Sequence, residues 1–242
     1  NAWYDAMTKA ASVDEFSLFK PKEEVLSQYP IKSGDPIFEV DMHCVEPLPV
    51  NIDAIKAATK TLDLEKHGFH PHKYALSSKK GKAHFPSSVG AGAESFGLDS
   101  CNEDPSKCDE VEMLTVDDFA SRHLDSSGKI DVLSIDAEGY DFQILKGATE
   151  TLKKTRYVEF EYHHKWKADK LQDAANYLED LGFMCYYLGK DKLYRITNQC
   201  WVDEYESHVW SNVGCVSKDE KHWLSDMEGL FWGTIYAPEY LS

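Results

Sequence analysis

The chain has 242 residues, of which 42% are hydrophobic and 28% charged, a composition typical of a globular protein with one large domain or two small ones. Its 42 acidic and 26 basic residues leave a formal charge of −16, which argues against nucleic acid or an anionic membrane surface as the main partner, because either would repel it. No apolar run approaches the roughly 18–20 residues that a membrane helix needs, so no transmembrane segment is expected.

Residues 1–36 are mixed and helix-prone, with breaks at Pro21, Pro30 and the SGDP turn, and are expected to form a helical extension. From residue 37 short apolar strands alternate with amphipathic helices. Ile37–Val40 and His43–Val45 are strand-like, and Pro49–Thr61 reads as a helix with Ile52, Ile55 and Ala58 on one face. Residues 69–86 suggest two short strands around SSKKGK. The stretch 87–109, rich in Gly, Ser and Asp, reads as a long loop of the length usual for functional lids or disorder. VEML (111–114) is a predicted strand, and Thr115 with Asp118 resembles a capping box opening a helix to Leu124. Ile130–Ile135 reads as a buried strand, Asp141–Lys154 as a helix, Tyr157–Tyr162 as a strand, and Ala168–Leu181 as a helix ended by Gly182. Met184–Leu188 and Leu193–Ile196 form a predicted closing hairpin. This alternation points to βαβ units, hence an α/β fold with a mostly parallel central sheet over 37–200. Residues 201–242 read as an aromatic-rich extension packed on that domain or on a partner, with Trp201, Trp210, Trp223 and Trp232 in packing or interface roles.

None of the six cysteines forms a C-x-x-C pair, which makes a zinc ribbon or thioredoxin-like site a poor reading. Cys101 and Cys108 either close a small ring in an oxidising compartment or remain free thiols. Cys44 and Cys185, in apolar runs, read as buried thiols. His43, His70 and His72 show no metal-ligand spacing.

In open α/β sheets, ligands gather at the carboxyl ends of strands. Acidic residues fall there three times: Glu46, Asp136 with Glu138, and Glu159 with Glu161. A carboxylate at the end of a second strand can accept both hydroxyls of a ribose, and Pro47 stops the strand behind Glu46. Each acid taken alone has a plainer reading as a solvated loop charge or a helix cap.

CVEPLPVNIDAI, VEMLTVDDF, IDVLSIDAEGYDFQILKGA and YVEFEYH, in that order, resemble the FkbM-type S-adenosylmethionine-dependent methyltransferases. The family's hallmark, I-D-x-E-G followed by V/I-L-x-G-A, is matched by Ile135–Gly139 and Ile144–Ala148. CYYLGKDKLYRIT and WSNVGC look like the tail of a eukaryotic branch. The resemblance implies a Rossmann-like methyltransferase fold. It further implies S-adenosylmethionine as cofactor and methyl transfer to a hydroxyl of a sugar or related metabolite, a small-molecule or carbohydrate acceptor. On that pattern Glu46, Pro47, Asp136 and Glu138 would form the cofactor side, with Glu46 on the ribose and Glu138 orienting the loop or the substrate. Asp136 and His163 would be the candidate bases, with Glu159 and Glu161 behind them. Related catechol-type enzymes use magnesium at the position of Asp136, but the sequence names no second and third ligand, so no metal is expected.

One departure stands out. FEVD (38–41) runs straight into MHCVEP (42–47), leaving no glycine-rich turn between two strands, and a parallel crossover needs a dozen residues or more. Either a segment between Asp41 and Met42 is absent, which the register of the flanking strands favours, or the turn was lost. In the second case the domain would be an inactive scaffold subunit of a larger assembly with protein partners.

Overall fold

A computed structural model describes residues 41–87, 89–93, 96–98, 101, 105–190 and 192–236. The predicted N-terminal extension and the strand Ile37–Val40 lie outside the described residues. β1 (Met42–Val45) leads through Glu46 into α1 (Pro49–Thr61), whose proline stands in the first turn, where a missing N–H costs nothing. Ile52 is its fully buried anchor. β1 pairs in parallel with β2 (Phe69–His72), His43 opposite His70. β3 (Ala75–Leu76), β4 (Gly81–Pro86) and β5 (Cys108–Leu114) form a second sheet in the order β3-β5-β4. Three strands thus occupy 69–86, where two were expected.

α2 (Val116–His123) starts as the capping box predicts: the Asp118 N–H donates to Thr115 Oγ1 at 3.0 Å, and that hydroxyl donates to Asp118 Oδ2 at 2.7 Å. β6 (Ile130–Ile135) follows. The helix expected over 141–154 is divided into α3 (Asp141–Lys146) and α4 (Thr149–Leu152). Gly147 caps the first of these helices at the break, where a Cβ would meet the carbonyl oxygen of Ser77 at 2.2 Å. α4 is then capped from outside: Asp117 Oδ1 accepts the Thr151 N–H at 2.7 Å and Asp117 Oδ2 accepts the Glu150 N–H at 3.0 Å. β7 (Thr155–Tyr162), α5 (Leu171–Asp180), β8 (Phe183–Leu188), β9 (Leu193–Arg195), β10 (Ser211–Ser217) and α6 (Lys221–Tyr236) complete the order. β8 and β9 form the expected hairpin.

The fold is mixed α/β, and the expectation of a mostly parallel sheet is corrected here. In the five-stranded sheet β6-β7-β10-β8-β9, only β6 and β7 pair in parallel. β10, drawn from the segment read as an extension, inserts antiparallel between β7 and β8. Val158, Phe160, Phe183, Val213 and Cys215 face a core completed by Leu145, Leu152, Leu171 and Leu178 of the helices. Met184, Tyr186 and Val216 face the other way, onto Phe231 of α6. Arg195 holds α6 down with two bonds to Glu228, of 2.9 and 2.7 Å.

β6 is a further correction. Among the described residues it has no neighbour beyond β7, and Val132 is 53% exposed, so the strand read as buried is an edge. Cys185 is also not a thiol: it is disulfide-bonded to Cys215, directly opposite it in the β8–β10 register. Cys101 and Cys108 form a second disulfide, whereas Cys44 and Cys200 are free and half-buried.

Candidate active site

β6 and β7 run parallel, so their carboxyl ends emerge side by side, and the acids that follow them meet. Asp136 is the first residue beyond β6. Glu138 adopts φ +56° and Gly139 φ +94°, a tight turn that only a glycine tolerates easily and that leaves Glu138 in a costly conformation. The turn is pressed against the chain after β7: a Cβ on Gly139 would meet the Lys165 carbonyl oxygen at 2.7 Å. Asp141, buried at the start of α3, fastens the turn by accepting the N–H groups of Gly139 at 3.2 Å and Ala137 at 3.4 Å. Burial, opposed by these backbone bonds, pushes the Asp141 carboxyl up to about 7.

Glu161 comes from β7, and His163 is the first residue beyond it. Alternation sends Phe160 and Tyr162 into the core and Glu159 and Glu161 to the opposite face. Desolvation, then the carboxylates of Glu161 and Glu138, push Asp136 up to about 6, and Asp136 also shares a hydrogen bond with Glu161. His163 is 4% exposed; its Nε2 lies 3.2 Å from Glu161 Oε2 yet has no hydrogen-bond partner among the described residues. Burial holds its imidazole below the ordinary value, against the opposing pull of Glu138, so the ring is neutral at pH 7. Lys165 forms an ion pair with Glu138.

The sequence reading ranked Glu161 too low and missed the place of Trp210. Glu161 was placed behind the candidate bases, but it touches Asp136 directly. Trp210, read as a packing residue, is 58% exposed and donates its indole N–H to Glu161 Oε1. The missing signal was β10, whose pairing of Ser211 with Tyr162 brings the preceding Trp210 to the end of β7.

Other predicted residues lie apart from this group. Glu159 accepts the Asn212 amide at 2.6 Å and the Tyr157 hydroxyl at 3.1 Å, one alternation back along β7. Glu46, at the end of β1, accepts the Leu48 N–H at 2.7 Å and is hydrogen-bonded by Asn51; burial pushes its carboxyl up against those bonds. Among the described residues no hydrogen bond or ion pair joins Glu46 to Asp136. Pro47 follows Glu46 and carries the chain into α1. A cleft of about 660 Å³ opens beside Tyr140 and is lined by Ser77, Ser78, Lys82, His84 and Gln143 among others, with none of the predicted site residues in its wall.

This arrangement offers a carboxyl open to solvent, a second carboxylate, a neutral imidazole and an exposed indole at one strand end. Such a group can take a proton from an acceptor held against it. No described helix is long and apolar enough to cross a membrane. No curated protein and no solved structure matches the chain. The family model described as the methyltransferase FkbM domain matches residues 21–196, well over half the length, with the I-D-x-E-G turn inside the match. The chain belongs to the FkbM methyltransferase domain family.

Proposed function

We propose that this domain transfers a methyl group from S-adenosylmethionine to a hydroxyl of a sugar or a related small metabolite, with Asp136 as the proton acceptor. The observation that carries the reading is the convergence of Asp136, Glu161 and His163 at the ends of β6 and β7, with Asp136 itself exposed. The donor set of the chain fits the cofactor at its sugar end: Glu46 is a half-buried carboxylate held at a strand terminus by Leu48 and Asn51. When bound, S-adenosylmethionine supplies an electrophilic methyl on a sulfonium. Asp136 takes the hydroxyl proton as the acceptor oxygen becomes nucleophilic, with Glu161 hydrogen-bonded beside it. The exposed face of Trp210 gives a sugar ring an apolar surface beside the acids.

Formation of S-adenosylhomocysteine over a panel of hydroxylated acceptors tests the reading. Asp136→Asn should abolish turnover, and Glu46→Ala should lose calorimetric binding of S-adenosylmethionine. Wild-type protein that gives no heat with S-adenosylmethionine overturns the proposal.

A second reading is supported by a different observation. β1 begins directly after Asp41, with no glycine between Asp41 and Glu46, and β6 presents an edge that is unpaired among the described residues. On this reading the domain is an inactive structural subunit, and absence of cofactor binding would favour it.

A further inference from the structure

We propose that Glu138, Glu161 and His163 form a binding site for one divalent first-row transition cation, with Asp136 completing its acidic wall. The three side chains each offer a ligand atom, and these atoms lie within 4.8 Å of one another. Backbone geometry builds the group from two segments: Glu138 sits at positive φ in the turn after β6, and Glu161 lies near the end of β7 with His163 just beyond it.

An acidic cluster alone would be a solvated surface, but His163 makes this one different. Its imidazole is 4% exposed, and Nε2 is buried without a hydrogen-bond partner, aimed at a carboxylate oxygen 3.2 Å away. Burying a polar nitrogen unpaired is costly. A cation between it and the carboxylate removes that penalty. The spacing also suits ligation, because two donors each about 2.1 Å from a shared ion stand roughly 3.0–3.4 Å apart.

Charge agrees with this. Three carboxyl groups, those of Asp136, Glu138 and Glu161, face one ammonium, Lys165, which pairs with Glu138, so the group favours a cation. Two carboxylates and an imidazole suit Mn²⁺, Fe²⁺ or Zn²⁺ better than Mg²⁺, which prefers an all-oxygen, largely hydrated shell. Any catalytic use of the ion rests on the methyl-transfer reading: placed beside Asp136, it would lower the pKa of an acceptor hydroxyl. Binding of the ion does not rest on that reading.

The test therefore uses the full chain with Mn²⁺ alone, without cofactor or acceptor. Mn²⁺ electron paramagnetic resonance counts bound ions, and tryptophan fluorescence reports on Trp210, which is bonded to Glu161. One saturable site is expected, weakened at least tenfold in Glu161→Gln and in His163→Gln with circular dichroism unchanged. Lys165→Met should tighten it severalfold by removing the competing ammonium. Glu150→Gln, an exposed acid elsewhere, should leave it unaltered. Absence of saturable binding overturns the site, as does equal affinity in wild type and the half-buried Glu161→Gln variant, which keeps the test valid should His163→Gln fail to fold. A site that binds Mn²⁺ in a protein that ignores S-adenosylmethionine would retire the transferase reading and leave the metal site standing.

Discussion

Trp210 donates its indole N–H to Glu161, so a side chain from the C-terminal segment reaches the acidic group at the ends of β6 and β7. Trp210→Phe keeps the ring and removes the donor. Because the residue is exposed, thermal stability should change by less than about 1 kcal/mol. Turnover should fall by about tenfold as Glu161 loses its orientation. Steady-state kinetics alongside a thermal melt check both, and unchanged turnover would remove Trp210 from the site.

Asp141 fastens the Ala137–Gly139 turn from inside the protein. Asp141→Ala leaves two backbone donors without their acceptor and should cost about 1–3 kcal/mol in urea unfolding. It should also lose turnover, since Asp136 and Glu138 hang on that turn.

Gly147 sits against the Ser77 carbonyl. Gly147→Ala forces the two backbones apart and should destabilise by about 2–4 kcal/mol, read as a lower denaturation midpoint with an unchanged slope.

The Cys185–Cys215 and Cys101–Cys108 bonds leave two thiols, Cys44 and Cys200. Alkylation of unreduced, denatured protein should therefore add two labels by mass. Cys215→Ala opens the cross-strand bond and should cost about 3–4 kcal/mol by the chain-entropy account of a loop of this size.

His72 gives the pH dependence. Burial, then the neighbouring His123, His43 and His70 and the charge of Lys56, push it down to about 4. The unfolded chain takes up its proton near pH 6.5 and the folded one does not, so stability present above pH 6.5 is lost as pH falls towards 4. His72→Phe, packed against Phe119, should blunt that loss, narrowing the fall in Tm between pH 7 and 5 by a few degrees, about 2–5 °C. An identical fall in both proteins would show that other groups drive it.

Local chemistry made much of this chain legible. The Thr115–Asp118 capping box, the proline opening α1 and the glycine ending α5 act within a few residues, and their elements appear where the sequence puts them. The I-D-x-E-G turn likewise identified Asp136, because a strand and its following turn are encoded side by side. What depends on partners distant in sequence was not readable. Gly147 must be a glycine because Ser77 packs against it. Cys185 is a disulfide only because β10 returns beside β8. Val132 is exposed because β6 has no outer neighbour among the described residues, and Glu161, His163 and Trp210 come together only where two strands end side by side. Periodicity states which face of an element is apolar, whereas strand order, and hence which polar ends converge, is set by which pairing buries those faces best.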